Sequence, residues 1–184
     1  ENIPKYLAGD EHSLLIMGSH GASGIKEYTL GSNAQKVIRK YSCPVLIVKN
    51  KPKQTDISRI VLASTFDENQ HQAFQKFHSF SNALNLEYAL LYINTPYHFK
   101  ETPDIDKMLS DFCKLQKMED CKSYVYNALN EERGLQGFME NKEFDILAMA
   151  TEGRSSLAQL FSPSLTERII NHLDIPVLSY RNQS

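Results

Sequence analysis

The chain has 184 residues, of which 41% are hydrophobic and 23% are charged, and its formal net charge is −2. This composition is typical of a globular protein and excludes disordered and collagen-like classes. The near balance of acidic and basic residues argues against nucleic-acid binding, and no apolar run approaches the roughly 20 residues of a membrane span. No signal-peptide pattern is present, so we expect a cytoplasmic protein that binds neither nucleic acid nor membrane.

Apolar periodicity predicts alternating strands and helices along the chain. In chain order, we predict a strand at 13–18, a helix at 32–41, and strands at 44–49 and 58–64, then a helix at 67–84, a strand at 87–93, a loop at 94–103, a helix at 104–118, a strand at 121–127, a helix at 131–142, a strand at 145–150, a helix at 164–173 and a strand at 176–180. This alternation predicts an α/β fold with an open parallel sheet and helices on both faces.

Residues 13–49 align with residues 145–181 without a gap, at a constant offset of 132, and nine of the 37 aligned positions are identical. A tandem duplication explains this match better than chance. The second copy begins near Ile57, so the same offset places the start of the first copy about 75 residues before residue 1. Residue 1 is Glu rather than Met, which also suggests a processed or truncated chain. We therefore predict three parts: a C-terminal part of a first domain (1–50), a linker (51–56) and a complete second domain (57–184).

A glycine motif follows the first predicted strand and reads Gly18-x2-Gly21-x9-Gly31-Ser32. Glycines let backbone amides approach a phosphate closely, and the helix that follows begins with unpaired amides and the positive end of its dipole. In an open α/β sheet, ligands bind at the carboxyl ends of the strands, where this loop lies. The spacing matches neither a Walker P-loop nor the GxGxxG dinucleotide motif. It predicts a phosphate-binding loop.

This strand, glycine motif and helix, followed by the run Cys43-Pro44-Val45-Leu46-Ile47-Val48, resembles the universal stress protein family in its tandem two-domain form. The resemblance implies a Rossmann-like, five-stranded parallel sheet for each copy, with only part of one copy present here. It also implies a regulatory, non-enzymatic role in the stress response, with ATP, with or without Mg²⁺, as cofactor. Carried over by position, the residues around the phosphates and ribose are Gly18, Ser19, His20, Gly21, Gly31, Ser32 and Asn33.

The second copy departs from this motif, since Ala150, Glu152 and Pro163 replace Gly18, His20 and Gly31. Proline removes an amide that a phosphate would use, and Glu152 adds negative charge. Thr65 also stands where the family's ATP binders have an Asp at the end of the first strand. We therefore expect no nucleotide in the second copy. The first strand of copy one lies outside the chain, so we expect no complete ATP site in these residues alone.

Several alternatives remain open. Ser32 begins a capping box with Gln35, as Ser164 does with Glu167, and therefore serves either phosphate or the helix end. His20 is either a phosphate contact or a polar loop residue. The protein is either a nucleotide-responsive module, a scaffold, or, least favoured, a slow ATPase. The family's mode of dimerisation suggests that Val45–Val48 and Val177–Tyr180 pair edge to edge as an internal pseudo-dimer. It also suggests that the chain forms a homodimer or self-associates through its last strands.

The remaining polar groups give weaker signals. The three cysteines, Cys43, Cys113 and Cys121, have no ligand spacing and are expected to be buried or inert thiols in a reducing compartment. His71 and His78 are positioned to share one helix face, but no third ligand accompanies them, so no metal site is expected. The acidic residues are expected to lie on a solvated helix surface; they are Glu131, Glu132, Glu140 and Glu143.

Overall fold

The computed structural model describes residues 14–19, 30–40, 43–49, 57–67, 70–118, 122–141, 143–151 and 163–181. The strands are β1 (Leu15–Gly18), β2 (Val45–Val48), β3 (Arg59–Ala63), β4 (Glu87–Asn94), β5 (Ser123–Asn127), β6 (Ile146–Thr151) and β7 (Val177–Arg181). The helices are α1 (Ser32–Lys40), α2 (His71–Ala83), α3 (Thr102–Leu115), α4 (Glu131–Asn141) and α5 (Pro163–His172). Each predicted strand and helix is present, and a 3-10 turn at Pro96–His98 lies in the predicted loop. No described helix has the length and apolar character needed to cross a bilayer.

All seven described strands form one sheet, in the order β1-β2-β7-β6-β3-β4-β5. Strands β3 to β7 are mutually parallel, as expected, and β1 is parallel to β2. The expected five parallel strands are β3 to β7, and the sheet has seven because β2 pairs antiparallel with β7 and extends it by β2 and β1. We call residues 14–49 the first segment and residues 57–181 the second segment.

The register of the sheet reproduces the sequence offset of 132. Leu15 lies opposite Val45 in the β1–β2 pair, and Leu147 lies opposite Val177 in the β6–β7 pair. Because side chains alternate between the two faces of a strand, identical registers place equivalent residues on the same face. The first segment therefore has the strand arrangement of the last part of the second segment.

The β2–β7 pair is nearly symmetric about its centre. Its three residue pairs are Val45 with Ser179, Leu46 with Leu178, and Ile47 with Val177. Leu46 and Leu178 are equivalent under the offset and lie opposite each other, so an approximate twofold axis passes between them. The predicted edge-to-edge pairing of these two strands is confirmed within the chain.

The sheet is covered on both faces by apolar helix surfaces. On one face, α1, α4 and α5 pack over the strands; α1 contributes Ala34, Val37 and Ile38, which helical spacing places on one side. On the other face, α2 and α3 pack over β3, β4, β6 and β7. The core is thus divided into two layers by the sheet, as expected for an α/β fold.

The second face of the first segment lacks the cover that the second segment has. Ile16 is 60% exposed, whereas its equivalent Ala148 is fully buried. Leu14 and Val48 are only half-buried on this face. No helix in the described part of the chain covers β1 there, so an apolar sheet surface faces outward.

Helix α4 packs closely on β4 at a glycine. A Cβ atom at Gly134 would overlap Ile93 Cγ2 and would lie 3.2 Å from Ala128 Cβ. We expect Gly134→Ala to lower the free energy of unfolding by about 1–2 kcal/mol, because the overpacking cost exceeds the gain in helix propensity. Chemical denaturation measures this change.

Gly137 on the same helix provides the matched control. A Cβ atom there would lie 2.6 Å from the Tyr126 hydroxyl, which is the far end of a side chain that can move aside. We expect Gly137→Ala to leave stability unchanged or to raise it by up to about 1 kcal/mol, as helix propensity predicts. Equal losses in the two variants would contradict this account of the packing.

Candidate functional site

The two ends of the glycine motif meet at the carboxyl end of β1. Gly18 ends this strand, and Ser19, which is 2% exposed, follows it. The Ser19 amide donates to the Val48 carbonyl over 3.0 Å, and the Gly31 amide donates to the Ser19 carbonyl over 2.8 Å. These bonds fix the base of the loop against β2.

Helix α1 begins immediately after this contact. The Gly31 carbonyl accepts the first helical hydrogen bond, from the Gln35 amide at 3.0 Å, so Gly31 is the N-cap residue. The capping-box interpretation of Ser32 is therefore wrong, because Ser32 already lies in the first turn. Ser32 and Asn33 are exposed, and the first amides of a helix have no acceptor within it.

Five of the seven predicted site residues are thus brought together. They are Gly18, Ser19, Gly31, Ser32 and Asn33. His20 and Gly21 lie outside the described residues. The five combine a close backbone turn with a helix N-terminus, and this arrangement suits an anion because amide donors and the helix dipole point to the same place.

The second segment also contacts this region, through the end of α5. The Leu30 amide donates to Asn171 Oδ1 over 2.8 Å, and Lys49 Nζ donates to the Asn171 carbonyl over 2.7 Å. Lys49 Nζ also lies 3.5 Å from Asp174 Oδ1. Sequence motifs do not identify Asn171, which is 141 positions from Leu30. The pairing of the last strands could have indicated it, since that pairing brings the end of α5 to this edge.

An ion pair joins the helices of the two segments. Arg39 Nε lies 2.7 Å from Glu167 Oε1, and Arg39 Nη2 lies 3.2 Å from Oε2. The hydrogen bond and the charge of Glu167 raise the pKa of Arg39. This two-point contact joins α1 to α5.

The equivalent region of the second segment is built differently. Ala150, at the position of Gly18, is 2% exposed. Helix α5 begins at Pro163, the equivalent of Gly31, and proline has no amide to donate. The bond equivalent to the one from Gly31 to Ser19 therefore cannot form. Glu152 lies outside the described residues.

The end of β3 forms a local turn that uses its own polar groups. Thr65 Oγ1 donates to Asp67 Oδ2 over 2.8 Å, and the Phe66 amide donates to Ser64 Oγ over 3.3 Å. Phe66 has a φ of 55° and packs its ring edge-to-face on Phe112, with centroids 5.1 Å apart. The Thr65 hydroxyl at the expected Asp position is thus committed to a neighbouring carboxylate.

Of the four acidic residues, Glu143 pairs with Arg59 over 3.0 Å, and two residues of α4 have specific partners. Glu131 Oε1 accepts from Thr95 Oγ1 over 3.2 Å. Glu132 Oε2 lies 2.7 Å from Arg168 Nε, and Oε1 lies 3.6 Å from His172 Nε2. The expectation of a merely solvated surface is therefore wrong for these two, because they join α4 to β4 and α5.

The histidines of α2 contact amides rather than each other. His71 Nδ1 lies 2.8 Å from Gln116 Nε2, and His78 Nε2 lies 3.0 Å from Asn82 Nδ2. Within the described ranges, no group of three or more His, Cys, Asp or Glu side chains is arranged to hold a metal ion.

Cys43 is a free thiol and Cys113 is disulfide-bonded, so the expectation of inert thiols is wrong for Cys113.

A sequence profile of the universal stress protein family matches residues 1–49 and 57–181. Among curated proteins, the chain is 45% identical over 51 residues to universal stress protein MJ0577 of Methanocaldococcus jannaschii, covering 28% of this chain and 32% of that protein. It is 49% identical over 52 residues to universal stress protein MJ0531 of the same organism, covering 28% and 30%. The matched region therefore spans about a third of these relatives.

Solved structures share the fold. A universal stress protein from Archaeoglobus fulgidus superimposes with a TM-score of 0.67 at 20% identity, covering 94% of this chain and 62% of that one. A universal stress protein crystallised in complex with cAMP superimposes with a TM-score of 0.53 at 13% identity, covering 70% and 100%. At these identities the likeness concerns the α/β architecture.

Proposed function

Because this chain belongs to the universal stress protein family, we propose that it is part of a nucleotide-binding regulatory protein of the stress response. In this proposal the first segment supplies the phosphate side of an ATP site, with or without Mg²⁺. The second segment is a partner domain that binds no nucleotide. The role is regulatory rather than enzymatic.

The observation that carries the proposal is the closed base of the glycine motif. The bond from the Gly31 amide to the Ser19 carbonyl, at 2.8 Å, places the start of α1 beside the end of β1. Phosphate oxygens at this edge would meet the first amides of α1 and the backbone of Gly18 and Gly31. Ser32 and Asn33 are exposed there and available to the sugar and phosphates.

The asymmetry between the segments supports a single site. Ala150 and Pro163 replace the two glycines that frame the motif, and the Thr65 hydroxyl is held by Asp67. The changes at Ala150 and Pro163 remove a space and an amide donor that the first segment keeps. One segment then senses the nucleotide, and the other acts through the contacts between them, because a ligand shifts an equilibrium only through differential affinity.

A tandem arrangement of two domains accounts for the symmetry of the sheet. The matching registers of β1–β2 and β6–β7 support it, as does the exposed second face at Ile16. In the second segment α2 and α3 cover the equivalent face. In this proposal a similar pair of helices covers that face in the complete first domain. The proposed parts are residues 1–50, the linker 51–56 and the domain 57–184.

Titration calorimetry of Mg-ATP into the protein that contains both complete domains (the tandem protein) tests this proposal. We expect one site, and we expect Gly31→Pro to abolish it, because proline removes the amide that closes the loop. Pro163→Gly, the equivalent change in the second segment, is the matched control and should leave the affinity unchanged.

Other outcomes separate the alternatives. Two sites would contradict the asymmetry between the segments. Unchanged affinity in Gly31→Pro would place the nucleotide elsewhere. Binding of cAMP but not ATP would support a nucleotide site in the first segment and would show that its ligand is not ATP. No binding of either nucleotide would favour a scaffold that assembles through the exposed surface around Ile16.

A further inference from the structure

Four hydrogen bonds form a closed ring around the base of the glycine motif. They join Ser19 to Val48, Gly31 to Ser19, Leu30 to Asn171, and Lys49 to Asn171. Peptide bonds complete the ring, since Val48 precedes Lys49 and Leu30 precedes Gly31. Their donor–acceptor distances lie between 2.7 and 3.0 Å, so all four are well-formed bonds.

Asn171 contributes to this ring from the second segment and makes two of its four bonds. Its side-chain oxygen accepts from the Leu30 amide, and its backbone carbonyl accepts from Lys49 Nζ. This carbonyl lies in the last turn of α5, where helix carbonyls lack an intrahelical donor and a cation is favoured.

The contact is sheltered from water. Leu30 is 2% exposed, and the Lys49 side chain is 14% exposed. A partly buried amide that loses its acceptor keeps its desolvation cost, so the loop would have to rearrange to recover a partner. The oxygen of Asn171 therefore determines where the end of the loop lies.

The hydrogen bond from the Leu30 amide to Asn171 is not repeated at the residue equivalent to Asn171 in the first segment. Arg39 is the equivalent of Asn171 under the offset, and it pairs with Glu167 instead. An arginine side chain has no acceptor for an amide. The second segment thus holds the loop of the first through Asn171, whereas the first segment cannot do the same in return with this residue.

We propose that Asn171 is a positioning residue, through which the second segment fixes Leu30 and Gly31 at the base of the glycine motif in the position that binds nucleotide. The role of Asn171 in nucleotide binding rests on the proposed function, but its hydrogen bond to Leu30 does not. It would couple the two segments: movement of α5 relative to α1 changes the position of Leu30 and Gly31, and nucleotide binding changes the position of α5 in return.

Amide hydrogen exchange tests the hold without any ligand. In Asn171→Leu, which removes the acceptor at similar volume, we expect the Leu30 and Gly31 amides to exchange about tenfold faster, as the loss of one hydrogen bond predicts. In Asn171→Asp, which keeps an oxygen acceptor, their rates should stay near those of the unchanged protein. The Leu147 amide, bonded to the Pro176 carbonyl, reports global opening and should not change.

Asn141→Leu is the matched control. Asn141 also lies at the end of a helix, but its side chain donates to the Gly137 carbonyl of its own helix. Its replacement should leave the Leu30 amide unchanged. Equal acceleration at Leu30 and Leu147 in Asn171→Leu would show general destabilisation and overturn the proposal, as would unchanged exchange at Leu30.

Calorimetry with Mg-ATP on the same variants of the tandem protein separates this inference from the proposed function. We expect Asn171→Leu to weaken binding about tenfold, while Asn171→Asp and Asn141→Leu keep the original affinity. Equal affinity in all variants would overturn the coupling. If the unchanged protein binds no ATP, the proposed function is wrong, and the exchange rates still decide whether Asn171 holds the loop.

Discussion

Replacing Phe77 with alanine is expected to lower the free energy of unfolding by about 3–5 kcal/mol. Phe77 is fully buried on α2. Its ring packs edge-to-face on Tyr88 and Tyr180, with centroids 5.5 and 6.2 Å away. The truncation would leave a cavity between the helix and two strands that cannot move independently, because both belong to the central sheet.

Equilibrium unfolding in urea measures this loss, and Phe99 provides the control. Phe99 is 67% exposed in the loop after β4, so Phe99→Ala should change stability by less than about 0.5 kcal/mol. A loss below about 1 kcal/mol in Phe77→Ala would mean that the site collapses around the cavity, and that α2 is held mainly by other contacts.

Replacing Leu46 with aspartate is expected to cost about 3–5 kcal/mol, the range for a buried charge without a partner. Leu46 is 8% exposed and lies opposite Leu178, which is fully buried. Strand β2 connects β1 to the rest of the sheet. The loss should therefore detach the first segment before the second segment unfolds.

Hydrogen exchange by segment distinguishes this result from global unfolding. Amides of β1, α1 and β2 should lose protection, while those of β3 and β4 keep it. Ile16 is the matched control, because it is the register neighbour of Leu46 and is 60% exposed. Ile16→Asp should change stability by less than about 0.5 kcal/mol. Equal effects of the two substitutions would contradict the described burial of the β2–β7 pair.

The order and type of the elements follow from apolar periodicity, but their ends depend on local bonds. Helix α2 was expected from residue 67 and begins at His71, because Ser64 and Thr65 hold a turn in which Phe66 takes a positive φ. Such a conformation is uncommon for an aromatic residue. Nothing in the apolar spacing of Phe74 and its neighbours indicates it.

The start of helix α3 carries a sequence signal, a proline in the first turn, that the predicted loop at 94–103 does not take into account. Pro103 was placed in the loop, yet α3 begins at Thr102 with proline in its first turn, which is a favoured position for proline. Leu115 is 58% exposed, because α3 ends there and Lys117 turns the chain with a φ of 56°.

For the candidate site, the motif predicted which backbone residues meet but not what holds them. The glycine spacing and the predicted helix start placed Gly18 and Gly31 together, and the Gly31–Ser19 bond agrees with this. The Asn171 contact depends on the pairing of strands that are distant in sequence. A single asparagine near a helix end carries no periodic or motif signal, so only the assembled sheet identifies it.

The β2–β7 pair also constrains how the chain is made. Its central residues, Leu46 and Leu178, are 132 positions apart, and ribosomes add about 5–20 residues per second, so β2 waits about 7–26 s for its neighbour during synthesis. Throughout that interval the inner edge of β2 is unpaired and open to association with other nascent chains. Slower translation through the second segment lengthens this exposure of β2, independently of the stability of the finished sheet.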